Sequence, residues 1–122
     1  MGTGGSQVNI RNADSKAISG FLAEIRSLLS SGQYDFVPRR KNLQAIARLG
    51  LTVRDVKREL LHLTVADYFK GPKKDFDAER PGEIWEFKKT IEDEVFYVKL
   101  KIVQENGQRV LKCLGFHEDE FG

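Results

Sequence analysis

The stretch VFYVKLKI, Val95 to Ile102, decides the fold. Upstream of Phe69, apolar residues recur every three or four positions. Here they recur every second position, which is the period of a strand with two different faces. One face is Phe96, Val98, Leu100 and Ile102, a core face. The other is Val95, Tyr97, Lys99 and Lys101, with a phenol and two ammonium groups in a row. The neighbouring segments alternate in the same way. Trp85 and Phe87 stand against Ile84, Glu86 and Lys88, and Leu111, Cys113 and Gly115 against Val110, Lys112 and Leu114. Glu92-Asp93 and Asn106-Gly107 supply tight turns between these runs, and Asn-Gly is a strong hairpin signal. A three-stranded antiparallel meander follows from this spacing. It predicts Glu86, Tyr97 and Lys99 on one solvated face, with Trp85 and an inert Cys113 turned to the core.

Before the meander the period is helical. Asp14 or Ser15 caps a helix over about 15–31, whose Ile18, Phe21, Leu22, Ile25, Leu28 and Leu29 make one buried face. Gly32 stops it. Tyr34 to Val37 is a short extended piece before Pro38. Helices follow over 42–49, ended by Gly50, and over 53–62, capped by Thr52, with His62 at its end as a structural or C-cap residue. Thr64 to Phe69 reads as the exit of the third helix or a helical turn. KGPKKDFDAERPGE, Lys70 to Glu83, reads as a charged loop. Residues 1–13 are Gly-rich and polar and are expected to form a disordered tail, leaving one domain over 14–122. The fold class is therefore α+β, with N-terminal helices on one face of a C-terminal antiparallel sheet.

Composition excludes several classes. The chain has 122 residues, 40% hydrophobic and 31% charged, with a net charge of +2. That is an ordinary globular mix, long enough to bury a core without staples. One cysteine allows neither an internal disulfide nor a cysteine zinc site. No run approaches the roughly 18 apolar residues of a membrane span, and the N-terminus lacks an apolar signal core. A cytoplasmic setting without membrane association is expected. Charge is unevenly spread: Arg39, Arg40, Lys41, Arg48, Arg54, Lys57 and Arg58 cluster between 38 and 60, while Glu118, Asp119 and Glu120 close the chain with acid.

Several segments in a fixed order resemble the MqsR family of bacterial type II toxins, mRNA endonucleases of the RelE-like superfamily. They are SSGQYDFV (30–37), NLQAIARLGLTVRDV (42–56), LTVADYFKGP (63–72), RPGEIWEF (80–87), YVKLKI (97–102) and GFHE (115–118). The resemblance spans about Phe21 to Glu118 and is closest to short Gram-positive or phage-borne members. It implies a RelE-like fold and catalytic roles for Lys70 after an aromatic pair, Glu86 after the Trp, and Tyr97 on the next strand. The best-known member has Gln at the position of Glu86 and Lys at that of His117. Both departures supply better proton-transfer groups, and more distant RelE-like enzymes use a Glu base and a C-terminal His acid. The implied partners are single-stranded mRNA and a cognate antitoxin, in this family usually a protein with paired C-x-x-C zinc motifs.

The residues fit that chemistry. RNA carries its own nucleophile, so cleavage needs a base for the 2′-OH, an acid for the leaving oxygen and cations for the phosphate. No metal or other cofactor is required. Glu86 suits the base and His117, an imidazole, the acid. Lys70 and Lys99 suit phosphate binding, Tyr97 suits a phosphate hydrogen bond or base stacking, and Arg80 and Lys101 are further phosphate candidates. Arg39, Arg40 and Lys41 would hold RNA backbone beyond the cut. Without the resemblance, Glu86 opposite Lys99 is an ordinary cross-strand pair and Lys70 a loop lysine. A binding module without catalysis and a nuclease acting only on the ribosome remain alternatives.

Overall fold

The long apolar face of the first helix organises the molecule. The computed structural model describes residues 12–77 and 79–120. Helix α1, Ser15–Ser30, starts where Asp14 Oδ1 accepts the Ala17 N–H at 2.8 Å. It buries the six apolar residues the period singled out. Helix α2, Arg40–Leu49, ends at Gly50 with φ 70°, the left-handed conformation that favours glycine at a helix end. Helix α3, Val53–Leu61, begins with a reciprocal cap: Asp55 N–H donates to Thr52 Oγ1, and Thr52 N–H to Asp55 Oδ2. His62 is its C-cap, with Nδ1 2.8 Å from the Arg58 carbonyl.

Five strands form one sheet: β1 Tyr34–Phe36, β2 Tyr68–Lys74, β3 Glu83–Ile91, β4 Glu94–Glu105 and β5 Gln108–Glu118. Their spatial order is β1-β5-β4-β3-β2. The three central strands are the expected antiparallel meander. Both of its turns place two residues at positive φ, Glu92 and Asp93 in one and Asn106 and Gly107 in the other. The helices cover one sheet face, so the architecture is α+β as the pattern predicted. Phe87, Phe96, Val98, Leu100, Leu111, Cys113 and Phe116 join buried residues of α1, α2 and α3 in a single core. Full burial of each large apolar side chain contributes about 1.5–3 kcal/mol.

Five expectations change. The sheet is mixed, not wholly antiparallel, because β1 pairs in parallel with β5. A three-residue strand carries too little alternation to announce its partner. The expected loop from Lys70 begins as strand β2, hidden because register shifts on both sides of Lys70 destroy its period. Gly71 there has φ 116°, and a Cβ would come within 2.6 Å of the Ile84 carbonyl oxygen. Trp85 is only partly buried; it stacks on Phe21 at 4.3 Å on the rim of the core. Of the expected disordered tail, residues 1–11 lie outside the described residues. Asn12 and Ala13 are tied to β2 by a bridge to Gly71 and a hydrogen bond from Ala13 N–H to the Tyr68 hydroxyl.

The fifth change is the important one. Opposite Lys99 stands Gly115, but opposite Leu100 stands Cys113. Leu114 is therefore an extra residue in β5, a β-bulge. Strict alternation puts Gly115 and His117 on the core face with Cys113. The bulge reverses the parity, so Phe116 enters the core while Gly115 and His117 turn outward beside Lys99 and Tyr97. Asn42 in the first turn of α2 pins it. Its Nδ2 donates to the Leu114 and Val37 carbonyls at 3.0 and 2.9 Å, and its Oδ1 accepts the Phe116 N–H at 2.9 Å.

Candidate active site

The outer sheet face, away from the helices, holds the site. Tyr97 on β4 is directly opposite His117 on β5, with ring centroids 5.5 Å apart. On the other side, β3 brings Glu86 and β2 brings Lys70, which are themselves register partners. Phe69, Lys70, Glu86, Lys88, Tyr97, His117, Asp119 and Glu120 line one cleft of about 340 Å³. Lys70, Glu86 and Tyr97, to which the resemblance gives catalytic roles, and His117, the candidate acid, thus line one cleft.

Glu86 departs from the solvated position expected for it. It is only 2% exposed and forms the cleft floor. A buried carboxylate needs compensating charge. Lys73 Nζ lies 2.9 Å from Oε2 and Lys70 Nζ 4.0 Å from Oε1. Lys99, its register partner on β4, makes no ion pair with a described residue. The Glu86–Lys99 cross-strand pair is thus replaced by pairs from β2, the strand that alternation could not reveal. Tyr97 is half-buried. Burial first, then a hydrogen bond and the charge of Glu86, hold its phenol well above the ordinary range. It keeps its proton at neutral pH and serves as a donor. His117 Nδ1 is 3.0 Å from the Glu118 carbonyl. That contact fits a proton on Nδ1, leaving Nε2 as the nitrogen that exchanges one.

Sequence reasoning left Lys73, the cation nearest Glu86, and the cleft residues Phe69, Lys88 and Asp119 out of the site. Lys73 belongs to the hidden β2. Asp119 follows the strand end, where Lys88 Nζ approaches its Oδ2 at 2.8 Å. Lys88 shares the face of Glu86, so its placement was legible though its role was not. Phe69 is 44% exposed, with Lys88 Nζ 4.2 Å and Lys70 Nζ 5.3 Å from its ring centroid.

The remaining predicted cations divide. Arg39, Arg40, Lys41 and Lys99 line a second groove of about 280 Å³ with Asn42, Leu114 and Gly115, and Tyr97 and His117 line it too. Burial first, then the charges of Lys73 and Arg39, lower the Lys99 pKa. Lys101 is not on this surface: it is 3% exposed and its ammonium is 2.6 Å from Asp75. Arg80 is exposed on the β2–β3 connection and lines neither cleft. Arg48 is held by Glu94 and Glu118, and Arg58 by Asp55. Cys113 is a buried free thiol whose pKa burial pushes up to about 12. Among the described residues no three His, Cys, Asp or Glu side chains are grouped to hold a metal, and no helix is long and apolar enough to cross a membrane.

Comparison with known proteins supplies no assignment: no family model matches the chain, and no curated protein is significantly similar to it.

Proposed function

We propose that the protein is an endoribonuclease that cleaves single-stranded mRNA without a metal, the toxin of an MqsR-like toxin–antitoxin pair. The observation that supports this most is the convergence of Glu86, Tyr97 and His117 from three adjacent strands on one cleft rimmed by lysines. Glu86 on β3 and His117 on β5 flank β4 on opposite sides, about 10 Å apart across two strand spacings and offset by two residues along the strands, because Glu86 pairs with Lys99 and His117 with Tyr97. An in-line displacement at phosphorus needs its base and acid on opposite sides. Glu86 takes the proton of the 2′-OH as the O2′–P bond forms. The P–O5′ bond breaks, and His117 gives its proton to the departing O5′. The products are a 2′,3′-cyclic phosphate and a 5′-OH. Tyr97 donates a hydrogen bond to the phosphate, and Lys70 and Lys73 offset its growing charge.

A partner that silences the toxin must cover this cleft. An antitoxin carrying a C-x-x-C zinc domain and acidic segments suits the exposed cations around it, in a cytoplasmic setting. The decisive measurement is incubation of purified protein with naked RNA in EDTA. Cyclic phosphate ends are expected. Glu86→Gln and His117→Ala should each lower the single-turnover rate by about 10²- to 10⁴-fold, the usual contribution of a general base or acid. RNA left whole by the wild type sinks the proposal; cleavage only with ribosomes added would replace it with a ribosome-dependent one.

A further inference from the structure

The cleft and the basic groove are two depressions separated by one wall. Tyr97 and His117 are common to both, while Glu86 and Lys70 line only the first and Arg39 and Lys99 only the second. Gly115 keeps the passage beside that wall open. A Cβ there would lie 3.2 Å from Lys99 Cβ, 3.6 Å from Tyr97 Cε2 and 3.8 Å from His117 Nε2. Arg39, Arg40 and Lys99 make no ion pair with a described residue, whereas Lys41 is bound by Glu120 at 3.0 Å. Cations crowded together without a carboxylate suit an anion lying between them.

The chemistry gives this groove a direction, and the inference rests on the ribonuclease reading. The attacking 2′-OH belongs to the nucleotide upstream of the cut and must reach Glu86. The departing O5′ belongs to the downstream nucleotide and must reach His117. On the β5 side of β4, the side on which His117 stands, the groove runs from Lys99, the register partner of Glu86, to the start of α2. We propose that this groove binds the phosphate immediately 3′ of the scissile one, between Lys99 and Arg39. The RNA then crosses the sheet from β2–β3 on its 5′ side to β5–α2 on its 3′ side. Gly115 is the floor that lets the backbone pass. Substrates that stop one nucleotide after the cut lack this contact and are poor.

The test starts by mapping a cut in an unstructured RNA. Two oligonucleotides containing that cut are then made. One ends at the first downstream nucleotide, and the other carries three more. Wild type should cleave the longer one at least about tenfold faster in kcat/KM, since one charge-assisted phosphate contact is worth about that much. Arg39→Gln and Lys99→Gln should each reduce this ratio to about threefold or less. Arg39 is exposed, so its variant carries no burden on folding. Neither variant should alter the gain from lengthening the 5′ side. A methylphosphonate at the one linkage 3′ of the cut should mimic them in wild type. A ratio unchanged in both variants, or loss of the 5′ gain instead, overturns the assignment while leaving the nuclease intact. An unchanged ratio together with lost binding of poly-glutamate gives the groove to an acidic protein segment instead. RNA left whole in the mapping step overturns both readings at once.

Discussion

Two lysines on one face of β4, two residues apart, end in opposite states. Lys101 is sealed under the β2–β3 connection beside Ile84 and Val103 and is neutralised by Asp75. Gly82 packs against it, where a Cβ would meet Lys101 Cε at 3.1 Å. Lys99 has no such cover; it borders the groove among like charges. The β5 bulge falls between them, opposite the Lys99–Leu100 step. On one side of the bulge the outer face is a small second core. On the other it is open and carries every group of the proposed chemistry. The same residue type therefore stabilises the fold in one place and costs it charge repulsion two positions away.

The sharpest way to break this contrast is to unpin the bulge. Asn42→Ala leaves the Phe116 N–H and the Leu114 and Val37 carbonyls without their partner. It should cost about 3 kcal/mol, or about 12 °C in Tm. RNA cleavage at a temperature where the variant remains folded should also fall, because His117 loses its fixed orientation. Full activity with the stability loss alone would show that the bulge holds without Asn42.

Next, the two lysines should separate in melting experiments. Lys101→Ala strands Asp75 and opens a cavity, with an expected loss of about 2 kcal/mol. Lys99→Gln removes a desolvated charge among like charges and should leave Tm unchanged or raise it. The pair has a pH signature. The Lys101 hydrogen bond is the main reason the Asp75 carboxyl is held below its usual range. Its contribution to stability is therefore present above the ordinary aspartate value of about 3.9 and is lost as pH falls below it. The wild-type Tm should drop more steeply below pH 4 than that of Lys101→Ala. Parallel curves would remove Asp75 from the account.

The smallest effect belongs to Gly115→Ala. Its methyl group displaces Lys99 by a few tenths of an ångström. RNA cleavage should slow by up to about tenfold, with little change in Tm. A rate equal to wild type would mean that nothing passes over that glycine.

Much of the fold was legible because its signals are local. Period 3.6 marked the buried face of α1, Asp14 and Thr52 marked helix starts, and Asn106-Gly107 marked a hairpin. Glu86, Tyr97 and Lys99 shared a face because β3 and β4 run without interruption and alternation survives along them. By itself the sequence determined the helices, the meander and the common face of those three residues. Each follows from hydrogen bonds and side-chain directions set within a few positions. Tertiary structure decided the burial of Glu86, the sealing of Lys101 and the outward turn of His117. These depend on an edge strand with broken register, a covering connection, and one extra residue in β5 held by Asn42 from 72 positions earlier. A bulge reverses every side chain beyond it, and contacts far along the chain decide where it sits.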